Sequence, residues 1–270
     1  MISERELRRI AARAGIGAGQ AEYEYVLLCA LDALNRTQPF DETFCLKGGT
    51  ALRLVYFPDW RRSIDLDFSV LPSFPAEKLR AEIERWLQEV EKLHGVRMSL
   101  KDFHKADGAA RLRVSFIGPL RYPGRLLLDV TLDEPILLPP CHLPVVGTPF
   151  TTPRPTVLTY ALEEILAEKL RSILQRGKAR DYYDVWRLLK ERSKDIDLEV
   201  AHKVFWEKCE HKGLPKPTTI APFLDPQAIE AAAPYWTKDL AEQVPAGSLP
   251  PWDEVIGELA QLLESFLSRG

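Results

Sequence analysis

Lys47-Gly48-Gly49-Thr50-Ala51-Leu52-Arg53-Leu54-Val55-Tyr56-Phe57 stops at Pro58 and is followed closely by Arg61-Arg62-Ser63-Ile64-Asp65-Leu66-Asp67-Phe68. Phe44-Cys45-Leu46 reads as a short strand feeding a glycine turn, Ala51 to Phe57 as a short helix, and Ile64 to Val70 as a second strand. Paired glycines let the backbone approach a ligand and take positive φ. A helix beginning at Thr50 or Ala51 turns its free N–H groups toward an anion, with the Thr50 hydroxyl and the Lys47 charge close by. Residues two apart in a strand share a face, so Asp65 and Asp67 point one way and Leu66 and Phe68 the other, into a core. Two adjacent carboxylates repel, and a divalent cation removes that cost. Magnesium combines one or two carboxylates with substrate phosphates. The pattern predicts a bound nucleoside triphosphate and nucleotidyl transfer.

Other residues are candidates for the same chemistry. Asp129 ends the run Leu126-Leu127-Leu128, which reads as a buried strand. It is either a third metal ligand beside Asp65 and Asp67 or a strand-end residue before a turn. On a helix from Leu158 to Arg176, Lys169 falls in the middle of the face made by Leu162, Ile165, Leu166 and Ile173, opposite Glu164 and Gln175. A buried ammonium needs a counter-charge. Lys169 therefore either snorkels to the surface or faces a charged cleft holding a triphosphate or the acid cluster. Arg176, Lys178 and Arg180 make a basic loop suited to RNA, or a solvated helix connection. Asp181 is placed to cap the next helix. Arg61 and Arg62 are phosphate candidates or surface residues.

The chain of 270 residues carries a net charge of -3, which argues against a generally basic nucleic-acid binder while allowing a local basic patch. Its first residues lack the apolar core of a signal peptide, and no apolar run suits a membrane span, so a cytoplasmic protein is expected. Cys29, Cys45, Cys141 and Cys209 are scattered and read as reduced packing residues. The five histidines show no metal spacing. Two helices precede the glycine turn, and an amphipathic helix runs from Pro75 to Leu93. Strands at Val96–Leu100, Arg111–Phe116 and Arg125–Val130 follow, with a turn at Asp107-Gly108. The proline-dense stretch from Pro135 to Pro155 reads as extended connections leading out of the sheet. From Thr156 the character is helical, which sets a boundary between residues 1–155 and 156–270.

Lys47-Gly48-Gly49-Thr50-Ala51-Leu52, Arg62-Ser63-Ile64-Asp65-Leu66-Asp67-Phe68, and Glu168-Lys169-Leu170 leading into Arg180-Asp181-Tyr182-Tyr183-Asp184 together resemble the AbiEii/AbiGii-type toxin family of nucleotidyltransferases. That family belongs to bacterial abortive-infection and toxin–antitoxin systems. The resemblance implies an α+β fold: a DNA-polymerase-β-like core with a mixed sheet flanked by helices, and an appended C-terminal helical domain. It implies that Gly48, Gly49 and Thr50 cradle the nucleotide, with Thr50 where serine is often found. It implies that Asp65 and Asp67 bind the metal, magnesium or alternatively manganese, and that Lys169 contacts the NTP phosphates. The final acidic motif falls on Asp181 or Asp184. A protein antitoxin and, in some members, transfer to the 3′ end of tRNA are also implied. The alternatives are a nucleotidyltransferase acting on an antibiotic or a protein hydroxyl, and a non-catalytic binding module on the same fold.

Overall fold

The computed structural model describes residues 1–63, 65–106, 108–245 and 247–269. The chain divides into two compact units, one of Met1–Asp59 and Ser63–Tyr160, the other of Trp60–Arg62 and the residues from Ala161 onward.

The first unit opens with α1 (Glu4–Ala14), capped by Ser3, whose hydroxyl accepts from the Glu6 N–H. α2 (Ala18–Asn35) and the short α3 (Phe40–Thr43) lead into β1 (Phe44–Lys47). α4 (Gly48–Ala51) follows at once and loosens into a π-helical turn, Leu52–Tyr56. β2 (Asp65–Val70), α5 (Leu79–His94), β3 (Arg97–Ala106), β4 (Ala109–Ile117), β5 (Pro123–Thr131), β6 (Cys141–Pro144) and β7 (Thr156–Thr159) complete the unit. Among the described residues the strands form one mixed sheet in the order β3-β4-β5-β2-β1-β7-β6. β2 runs parallel to β5 and antiparallel to β1.

α5 packs on β3 and against α2, which also meets β7. Leu66, Phe68, Leu112, Val114, Leu126, Leu128 and Val130 are buried. Strand alternation therefore leaves Asp65, Asp67 and Asp129 on the opposite face of the sheet. Trp86 of α5 is fully buried, and its indole N–H donates to the Ala30 carbonyl at 2.9 Å.

Two readings of the sequence need correcting. The proline-dense stretch returns to the sheet, because β6 pairs with β7 and β7 lies parallel beside β1. Thr156–Thr159 is therefore strand, and the following helix starts four residues later than Leu158, at Leu162. The strand is held by the Tyr160 N–H and the Thr159 hydroxyl, which both donate to the Leu46 carbonyl. Of the expected turn, Gly108 has φ +73, while Asp107 lies outside the described residues, as does Ile64 at the expected start of the second strand.

The second unit consists of α6 (Leu162–Arg176), α7 (Ala179–Glu191), α8 (Leu198–His211), α9 (Pro226–Leu240) and α10 (Trp252–Leu267), joined by the Trp60–Arg62 segment. α6 packs on α7 and α8, and α7 on α9 and α10. Asp197 caps α8 through the Glu199 and Val200 N–H groups, and Asp225 caps α9 ahead of Pro226. Tyr183, Trp236, Trp252 and Tyr182 stack in sequence through the core, with centroid separations of 5.0–5.9 Å. Glu164, expected on the solvent face of α6, is fully buried and ion-paired with the equally buried Lys208 at 2.7 Å. The cause is α8, which covers that side of α6.

Candidate active site

In the first unit, cross-strand register assembles a row of charged residues. Lys47 of β1 lies opposite Asp67 of β2, Asp67 beside Asp129 of β5, and Asp129 opposite Arg111 of β4. The charges alternate as plus, minus, minus, plus. Asp65 sits two residues from Asp67 on the same face. Lys47 is buried, with its ammonium 5.6 Å from the Tyr160 ring centroid.

Gly48 is the residue that makes this row usable. Its φ is +70, and a Cβ placed there would lie 2.5 Å from Asp67 Oδ2. Only glycine lets the backbone come this close to the Asp67 carboxylate. Gly48→Ala is expected to cost about 1–2 kcal/mol for the left-handed backbone and to displace the Asp67 carboxylate. Urea unfolding would report the first effect and the transfer rate the second. A rate equal to wild type would refute the cradle. Thr50 is buried, and its hydroxyl donates to the Asp65 carbonyl, so it anchors the start of β2 from α4. Gly49 is buried in the same turn.

Asp129 does lie next to Asp67, but its carboxylate accepts from Arg111 Nε at 2.8 Å. The Arg111 guanidinium is raised above its ordinary value, first by hydrogen bonding to Asp129 and by that charge, and further by Asp65 and Asp67. Among the described residues no three His, Cys, Asp or Glu side chains are grouped closely enough to hold a metal ion alone. The donor set still suits magnesium. Two half-buried carboxylates on one strand face supply hard oxygens, and substrate phosphates complete such a site.

The second unit carries the other candidates. Lys169 is buried, and its ammonium lies 2.8 Å from Asp184 Oδ2 and 3.5 Å from Asp181 Oδ1. Both carboxylates are fully buried. Asp181 also accepts from Arg176 Nε at 2.9 Å and Nη2 at 3.1 Å. Asp184 accepts from Arg61 Nε at 2.7 Å, Arg61 Nη2 at 2.6 Å and the Trp60 indole at 3.0 Å. Burial alone would raise the Asp184 carboxyl. The Arg61 and Lys169 charges, with their hydrogen bonds, outweigh it and hold the group well below the usual carboxylate range.

Several expectations change here. The counter-charge of Lys169 comes from Asp181 and Asp184 of its own unit. Arg61 is buried and structural rather than exposed, while Arg62 donates to the Glu242 carbonyl through its guanidinium and to the Gln243 carbonyl through its backbone. Arg176 grips Asp181, Arg180 is half-buried, and Lys178 is exposed. Sequence reasoning missed the Arg61–Asp184 pair, since nothing in Arg61-Arg62 says which arginine turns inward.

A family model described as nucleotidyl transferase AbiEii toxin, type IV TA system, matches residues 30–258. The chain belongs to this family. It is accordingly a nucleotidyltransferase of the toxin class of type IV toxin–antitoxin systems. Among solved structures it is similar to MenT4, a nucleotidyltransferase toxin from Mycobacterium tuberculosis H37Rv. The identity is 20%, the match covers 99% of this chain and 90% of the other, and the TM-score is 0.64. No curated protein matches the chain. The likeness to MenT4 agrees with the expected α+β fold of a mixed sheet with flanking helices. Among the described residues of this AbiEii-family chain, no helix is long and apolar enough to cross a membrane.

Proposed function

We propose that this AbiEii-family enzyme transfers a nucleoside monophosphate from an NTP to the 3′-terminal hydroxyl of a tRNA, in a magnesium-dependent reaction of a cytoplasmic toxin restrained by a cognate antitoxin protein. The observation that carries this reading is the close approach of Gly48 to the Asp67 carboxylate, with Asp65 on the same strand face and Lys47 opposite Asp67 in register. The phosphates lie over Gly48, Gly49 and Thr50 near Lys47. Asp65 and Asp67 would hold the cation, with Asp129, beside Asp67 in register and paired with Arg111, the third candidate. When bound, magnesium supplies charge neutralisation on the triphosphate. Lys169 contributes a fixed positive charge, held in place by Asp181 and Asp184. The acceptor oxygen attacks the α-phosphorus as its proton passes to solvent water, the bond to the bridging oxygen of the β-phosphate breaks, and pyrophosphate departs with that electron pair. The exposed Lys178, between Arg176 and Arg180, supports an RNA acceptor.

The test incubates the protein with magnesium, total bacterial tRNA and each α-labelled NTP in turn, beside Asp65→Ala and Lys169→Ala. Label on tRNA that disappears in both variants is the expected result. Measurable NTP binding without label on tRNA would overturn the acceptor and leave a protein or small-molecule hydroxyl in its place.

A further inference from the structure

The sheet face that carries Asp65 and Asp67 continues outward across β5, β4 and β3. From Asp65 the register runs to Leu127 and then to Arg113, parallel to the row from Asp67 through Asp129 to Arg111. Arg125, two residues before Leu127, shares this face, as does Arg97 at the far end of β3. Neighbouring strands stand about 4.8 Å apart, so Leu127 begins roughly one strand spacing from Asp65 and Arg113 roughly two.

This face is open to solvent. The side chains of Arg111 and Arg113 are 75% and 52% exposed, Arg97 and Arg125 are exposed, and Leu127 is 38% exposed. Arg111 pairs with Asp129, and Arg113 with Asp102. Across β3, β4 and β5 this face carries Arg97, Arg111, Arg113 and Arg125 beside the acids Asp102 and Asp129, although the whole chain is net negative at -3. Leu127 offers apolar surface among these arginines, beside the proposed metal ligands, against which a base face can pack.

We infer that this face is the platform for the acceptor strand, with the terminal base resting on Leu127 and the phosphates preceding it met by Arg113, Arg125 and Arg97. The inference rests on the RNA-acceptor reading above and adds where that RNA lies. Topology supports the assignment. β2 lies between β1 and β5, and the proposed phosphate cradle of Lys47 and Gly48 is on the β1 side. An acceptor lying on the β5 side, where Leu127 and the arginines are, would face that cradle across β2.

The test measures KM for total tRNA and for the labelled NTP over a range of potassium chloride, in wild type, Arg113→Glu/Arg125→Glu and Leu127→Ser. All three positions are exposed, so the variants should fold, which thermal melting checks; Arg113→Gln/Arg125→Gln is the milder alternative. The double reversal is expected to raise the tRNA KM at least tenfold, leave the NTP KM unchanged, and flatten the log–log salt slope by about 1.4, at about 0.7 per phosphate contact on a single strand. Leu127→Ser is expected to raise the tRNA KM without changing the salt slope. A tRNA KM that stays at the wild-type value in both variants would overturn the platform alone. Failure of wild type to label tRNA at all would remove the acceptor reading and the platform together.

Discussion

Asp184→Asn is expected to destabilise the protein by about 3–5 kcal/mol, the usual consequence of removing one partner from a buried ion pair. At this chain length that corresponds to a melting temperature lower by roughly 6–20 °C. Asp184 is fully buried and takes hydrogen bonds from Arg61, Trp60 and Lys169, so an amide there leaves two buried cations short of a counter-charge. The pH dependence has a definite sign. The folded carboxyl lies below its ordinary value near 3.8, so its contribution is complete above that pH and declines as pH falls toward the depressed value. Wild type and Asp184→Asn should therefore converge in stability as pH falls below about 3.8. Adding Arg61→Met to Asp184→Asn should recover part of the loss, because it removes the orphaned guanidinium. Urea unfolding of the four proteins of this cycle measures both effects. Equal midpoints for wild type and Asp184→Asn would mean that the pair contributes nothing.

That network illustrates what the sequence made legible and what it did not. A helical wheel suffices to see that Lys169 shares a face with Leu162, Ile165, Leu166 and Ile173, all but one of which are nearly fully buried. It is silent on the partner, because Asp184 is fifteen residues away on another helix and Arg61 lies on a segment before β2. The same wheel misplaced Glu164, since a helix covered on two sides by α7 and α8 has no solvent face at that position. The alternation of Asp65, Leu66, Asp67 and Phe68 was legible because a strand has a period of two. That Lys47, Asp67, Asp129 and Arg111 form one row was not, because register between strands distant in sequence is a tertiary property. β7 was hidden for a related reason. Leu158, Leu162 and Leu166 continue a helical spacing through what is a four-residue strand, and only pairing with β1 decides in favour of strand.

Asp67→Asn should behave in the opposite way to Asp184→Asn: little change in stability and nearly complete loss of transfer. Asp67 is half-buried on the open face of β2, and Lys47 and Asp129 flank it in register. Neutralising one carboxylate of an adjacent pair relieves repulsion as much as it removes attraction to Lys47. The melting temperature should stay within about 2 °C of wild type, as for substitutions outside buried networks. Transfer would depend on the charge that this carboxylate brings to a cation held beside the triphosphate. Losing about 4 kcal/mol of such stabilisation corresponds to roughly a thousandfold in rate. Two further measurements separate a lost ligand from a disturbed fold. Titration with manganese, followed by its paramagnetic resonance signal in the presence of NTP, should show saturable binding to wild type and much weaker binding to Asp67→Asn. Thermal melting with magnesium and NTP should raise the midpoint of wild type but not of the variant. A variant that binds manganese as wild type does yet is inactive would assign Asp67 a role other than holding the cation. A variant that remains active would place the chemistry away from β2 altogether.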